Sequence, residues 1–129
     1  MTAISVTNNT LTARDTIKAI TATSSTSSEI NVAEVFEFTP VKGADHCLII
    51  ATVANSHGTV AMSVAAGDFW RAIAVKTFNC VENATTAITL DTSKYLQDDG
   101  TISITATPAS GKKLYTDHAL SIEFIELPK

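Results

Sequence analysis

The side chains in this sequence that could hold a metal or run a reaction are few, and their spacing suits neither task. Nitrogen and sulfur ligands come only from His46, Cys47, His57, Cys80 and His118. A zinc ion needs about four such groups converging, and no Cys-x-x-Cys or His-x-x-x-His pair occurs among them. On a strand, His46 and Cys47 point to opposite faces, so they cannot share one ion. Asp45-His46 and Asp117-His118 each set an acid and an imidazole at the start of a strand-like run. That echo could bring the two pairs together at one end of the fold, as a hydrogen-bonded polar cluster. Nucleophilic catalysis lacks a Gly-x-Ser-x-Gly turn, and Ser110-Gly111-Lys112 lacks the earlier glycine of a phosphate loop. Asp98-Asp99-Gly100 starts like a calcium loop, but the acids do not continue at the required spacing, so it reads as a turn. The thirteen carboxylates are scattered, and a small β domain offers little cleft in which two could converge on a glycosidic bond. The sequence therefore reads as a non-enzyme with no metal and no cofactor.

The elements that must position these residues are strands. Thr101-Ile102-Ser103-Ile104-Thr105-Ala106 alternates polar and apolar residues, the mark of a strand buried on one face. Similar runs predict strands over Ile4–Thr7, Ile17–Thr23, Glu34–Phe38, Cys47–Ala54, Thr59–Val64, Ala72–Thr77, Thr86–Leu90 and Ala119–Leu127. No stretch longer than about ten residues carries a helix-period apolar stripe. Asp91-Thr92-Ser93-Lys94-Tyr95-Leu96 predicts at most one short helical turn, started by an Asp cap and folding Tyr95 and Leu96 back as a plug. Asn55-Ser56-His57-Gly58 lies between two apolar runs and predicts a hairpin joining Cys47–Ala54 to Thr59–Val64. The fold class that follows is all-β, a single antiparallel β-sandwich of Ig-like or jelly-roll-like type. The Ser/Thr-rich stretch Thr21–Ser28 reads as a flexible or extended loop. It sets off residues 1–28, an N-terminal arm or first hairpin, from a sandwich body over residues 29–129.

Composition narrows the class further. With 129 residues the chain is long enough to bury a core without a metal or disulfide. Its net charge is −4 and its densest basic spot is Lys112-Lys113, too little to track a phosphate backbone, so nucleic-acid binding is disfavoured. The longest apolar run, Cys47 to Ala54, falls far short of the ~20 residues of a membrane-spanning helix. The Thr-rich start has no basic region followed by an apolar stretch, which predicts a chain made in the cytoplasm or a mature fragment, and favours reduced thiols over a Cys47–Cys80 disulfide. Cys47, inside Cys47-Leu48-Ile49-Ile50, then behaves as a small apolar core residue.

Aromatic residues supply the candidate binding positions. Phe69 and Trp70 are adjacent, so on a strand they point to opposite sides, and Arg71 follows. A Trp exposed beside Arg71 could anchor a protein partner or stack on a sugar, whereas a buried one would plug an end of the sandwich. Tyr115, beside polar loops, offers a second platform. Phe69, Trp70, Arg71 and Tyr115 are the candidate partner- or glycan-binding residues.

Several segments together resemble a known family. Ser56-His57-Gly58-Thr59-Val60, Ala66-Gly67-Asp68-Phe69-Trp70-Arg71-Ala72, Asp99-Gly100-Thr101-Ile102-Ser103-Ile104, Pro108-Ala109-Ser110-Gly111-Lys112-Lys113-Leu114 and Asp117-His118-Ala119-Leu120 look like stretches of small capsid decoration, or head cement, proteins of tailed bacteriophages and prophages. The similarity spans about Glu34 to Leu127. It implies a non-enzymatic structural protein that binds the major capsid protein of an assembled head as a homo-oligomer, such as a homotrimer. It also implies a place on the virion surface after assembly in the bacterial cytoplasm. The alternative is a carbohydrate-binding β-sandwich module that uses Trp70.

Overall fold

Alternating apolar residues become useful when two sheets can bury them against each other, and the chain folds in that way. The computed structural model describes residues 3–11, 19–41, 46–68 and 75–126. One sheet runs in the order β1 (Ile4–Ser5), β4 (Glu34–Phe38), β9 (Ile102–Thr107), β6 (Val60–Val64), β7 (Lys76–Cys80). The other runs β2 (Asn8–Thr10), β10 (Ser121–Glu126), β5 (His46–Val53), β8 (Ala84–Asp91), with β3 (Thr23–Ser24) also paired to β10. Pairing is antiparallel except where β1 joins β4 and β2 joins β10, both parallel. The chain is thus an all-β sandwich of two mixed sheets, its parallel pairs confined to short N-terminal strands.

Period-2 patterning selects the core. From the first sheet it takes Phe36 and Phe38, Ile102 and Ile104, and Val60, Met62 and Val64; from the second, Ile49, Ala51 and Val53 with Ile122 and Phe124. All are essentially closed to solvent, and burying each large one contributes roughly 1.5–3 kcal/mol. Phe38 and Phe124 meet across the sheets with ring centroids 4.9 Å apart and tilted by 41°, a geometry that favours aromatic pairs beyond their buried area.

The predicted helical turn forms as α1 (Thr92–Tyr95). Tyr95 is buried and Leu96 packs against the core, so this turn plugs one end of the sandwich. A second short turn, of π type over Leu114–His118, crosses the other end. It has no apolar period long enough to be seen in the sequence.

Two connections differ from expectation. Residues 54–59 do not close a hairpin: β5 pairs with β8 and β10, and β6 with β7 and β9, so this stretch crosses between sheets. Both strands carry the same alternation, and alternation reports which face is buried, not which neighbour supplies the hydrogen bonds. The Ser/Thr-rich stretch is held in place. Thr23 and Ser24 pair with Ile122 and Ser121, the Ser25 N–H donates to Leu120 O at 2.9 Å, and the Thr26 and Ser27 N–H groups donate to the Glu34 carboxylate. Its backbone donors, not its side chains, decide its order. The strand expected over Ala72–Thr77 is seen as β7, five residues from Lys76; residues 72–74 lie outside the described residues.

Gly67 shows how closely α1 docks. A Cβ there would stand 2.8 Å from Lys94 O and 2.9 Å from Leu96 O, while the neighbouring Asp68 N–H donates to Leu96 O at 3.1 Å. Backbone carbonyls cannot swing aside as a side-chain tip can, so Gly67→Ala should destabilise the fold by about 1–3 kcal/mol. The urea midpoint of the purified variant checks this, and an unchanged midpoint would contradict the docking described.

Candidate functional site

Loops gather at the end of the sandwich where β4, β6, β8 and β10 begin: residues 25–33, 54–59, 81–83 and 108–120. The π-turn braces them. The His118 N–H donates to Lys113 O at 3.2 Å, Lys113 N–H to the Asp117 carboxylate at 2.8 Å, and Ala54 N–H to His118 O at 3.1 Å. Ala119 then leaves the turn at φ 49°, a left-handed conformation that costs a non-glycine residue roughly 1–2 kcal/mol. Leu114 and Leu120 on either side are buried, and their burial holds the strained residue. Further bonds tie loop to loop: Asn31 N–H to Lys112 O at 3.0 Å, Gly111 N–H to Asn31 Oδ1 at 2.7 Å, and Gly58 N–H to Glu82 Oε2 at 2.7 Å.

His118 is enclosed by the core at 0% exposure, whereas His57 is exposed. Its Nε2 accepts the Ala109 N–H at 3.2 Å, so the neutral ring carries its proton on Nδ1, which is buried without a partner among the described residues. Protonating Nε2 would set an N–H against an N–H. Burial holds the imidazole below its usual range; Asp117 opposes that shift, His57 and Lys112 add to it, and Glu82 opposes it weakly. The ring is a structural acceptor, not a proton shuttle.

The sequence's Asp-His echo does not converge. β5 and β10 are antiparallel neighbours, with Ser121 across from Thr52 and Glu126 across from Cys47. The start of one strand therefore lies at the end of the other, and His46 and His118 belong to opposite ends of the sandwich. Asp45 lies outside the described residues.

Of the candidate binding residues, Tyr115 is on this loop end and 52% exposed. Ile30 and Val81, on neighbouring loops, are equally open. The Tyr115 N–H donates to Ser27 O at 3.0 Å, bordering a groove of about 320 Å³ lined by Ile4, Thr26, Ser28, Val32 and Glu34. Phe69, Trp70 and Arg71 lie outside the described residues. Asp68, just before them, bonds to the Leu96–Asp98 stretch at the opposite end from Tyr115.

Two buried acids were missed because their positions read as strand termini. Glu34 and Glu126 occupy core-facing positions of β4 and β10 and are almost closed to solvent. Glu34 receives the Thr26 and Ser27 N–H groups; Glu126 receives the Asn8 side-chain amide and the Val41 N–H. A signal existed: in Ser121-Ile122-Glu123-Phe124-Ile125-Glu126, strict alternation puts Glu126 on the face of Ile122 and Phe124.

Both cysteines are closed to solvent. Cys47 and Cys80 are free and buried in opposite sheets. Burial, reinforced at Cys47 by the nearby Glu126 carboxylate, pushes the thiols up to about 12 and about 11, and only the thiolate reacts. Among the described residues no group of three or more His, Cys, Asp or Glu side chains is placed to hold a metal ion. None of their helices is long and apolar enough to cross a membrane.

No protein-family model matches this sequence, and no curated protein or solved structure matches it either.

Because His118 is harder to protonate folded than unfolded, the unfolded chain takes up the extra proton as pH falls below the usual imidazole value of about 6.5. Its contribution is complete above that pH and is lost as pH falls toward the depressed folded value. The urea midpoint should drop between pH 7.5 and pH 5.5, with a smaller drop in His118→Gln, whose amide oxygen keeps an acceptor for Ala109 but cannot charge. Equal drops in both proteins would contradict this reading.

Proposed function

We propose that this protein is a non-enzymatic structural protein that binds the outside of an assembled phage head, with the major capsid protein as its partner. The observation that carries the proposal is the loop end. There Tyr115, Ile30 and Val81 expose apolar side chains on loops tied to one another by hydrogen bonds, main-chain for the first two and through the Glu82 carboxylate for the third. Pre-ordered loops lose little entropy on docking, and exposed aromatic and aliphatic groups are the usual anchors of protein interfaces. A ligand that binds only the assembled shell stabilises it by mass action. The mild negative charge suits an outer surface and discourages adhesion to packaged DNA.

The test is fractionation of the particles made by the strain that encodes the chain. An antibody raised against the purified protein should detect it in gradient-purified heads at a constant ratio to the major shell protein. Its recovery only among unassembled proteins would overturn the proposal.

One observation favours a second reading, carbohydrate binding: Tyr115 is exposed, and its N–H donates to the carbonyl of Ser27, which lines a groove with Thr26 and Ser28. An exposed aromatic with neighbouring hydroxyls can stack on a sugar and bond its rim. On this reading a glycan array gives binding that Tyr115→Ala abolishes without moving the melting temperature. An array with no bound glycan ends it.

A further inference from the structure

The geometry points to β8 as a self-pairing edge: two copies of the chain join through antiparallel β8–β8 contact, making one continuous sheet across the pair. This does not depend on binding to a shell.

The sandwich treats its edges unequally. β1 and β3 have two residues each and β2 has three, too short to template a partner. β7 has five, opening on an exposed Lys76. β8 has eight, pairs along its whole length with β5 in unbroken register from Ala84 opposite Val53 to Asp91 opposite His46, and ends the sheet. Among the described residues nothing pairs with its outer side. Natural edges are usually blunted by charge, proline, a bulge or shortness; Ala84-Thr85-Thr86-Ala87-Ile88-Thr89-Leu90 has none of these, and the one charged residue of β8, Asp91, stands at its far end.

Burial along β8 is incomplete on the side that faces the core. Ile88 and Thr86 sit opposite Ile49 and Ala51 of β5. Ile49 and Ala51 are closed off, whereas Ile88 and Thr86 are only half-buried. A further strand beside β8 would complete that burial.

The occupant follows from the side-chain pattern. Residues directly opposite in an antiparallel pair share a face, so a two-fold pairing must centre on a residue. Centred on Ala87, it sets Thr85 opposite Thr89 on the exposed face and Thr86 opposite Ile88 on the inner face. Thr–Thr and β-branched pairs are favourable cross-strand partners, the residue on the axis is small, and no charge between Ala84 and Leu90 meets its own copy. The strand is complementary to itself, which singles out a second copy as the partner.

Ala87 is exposed, so a long polar side chain fits there without entering the core, and on the axis it would face its own copy. Light scattering over a concentration series should give a two-copy mass for the unmodified protein. Ala87→Lys alone and Ala87→Glu alone should each give one-copy masses, with melting temperatures near the parent's confirming the fold. Mixing the two should restore the two-copy mass, because opposite charges now meet across the axis. A one-copy mass for the unmodified protein at every concentration, a three-copy mass, or a two-copy mass unaffected by either substitution would each overturn the inference.

Discussion

The structure depends on one constraint: two sheets, each with one apolar face, must close those faces against each other. Phe38 and Phe124, 4.9 Å apart at the ring centres, mark where the sheets meet. Around them the inward residues of β4, β9 and β6 face those of β10 and β5, and all are closed to solvent. Everything else in the molecule is placed by what that slab leaves at its ends and edges. Strand ends must be bridged, polar groups at inward positions must find partners, and outer strands keep unpaired backbone groups.

At the ends those demands are met in part, since His118 Nδ1 and Glu126 Oε2 have no partner among the described residues. Glu34, Glu126 and His118 occupy buried positions that an apolar residue could fill, and each accepts hydrogen bonds from backbone or amide donors of another segment. A hydrogen bond contributes about 0.5–1.5 kcal/mol net, and leaving a buried partner unpaired costs about 1–3 kcal/mol. Glu34 fastens the Ser/Thr-rich stretch, Glu126 joins β2 to the residues after β4, and His118 joins the π-turn to Ala109. These polar contacts make the N-terminal residues part of the sandwich on both sheets. The same contacts set the positions of the loops on which Tyr115 and Ile30 stand.

The two thiols are enclosed and hard to ionise, and the enclosed imidazole is committed to a backbone N–H. What the described residues expose is a braced loop end with open apolar side chains and one long strand edge with no charge from Ala84 to Leu90. Each is a surface whose free energy falls when another macromolecule covers it.

The sequence by itself determined the longer strands of the body, their inward faces and the plug at Tyr95, because these depend on local period and capping; it missed β2 and placed β3 and β7 only in part. Glu34–Phe38 has the predicted bounds, and α1 falls inside the predicted Asp91–Leu96 turn. Part of the candidate site was legible too, since Tyr115 among polar loop residues does prove exposed. Only the tertiary structure decided which strands are neighbours. The 54–59 stretch looked like a hairpin and is a crossing between sheets, because a strand's alternation is the same whichever partner it pairs with. The separation of the two Asp-His pairs, the burial of Glu34 and Glu126, and the exposure of β8 all follow from that order. Hydrogen-bonded neighbours are chosen by long-range packing, of which a residue's nearest sequence neighbours carry no record.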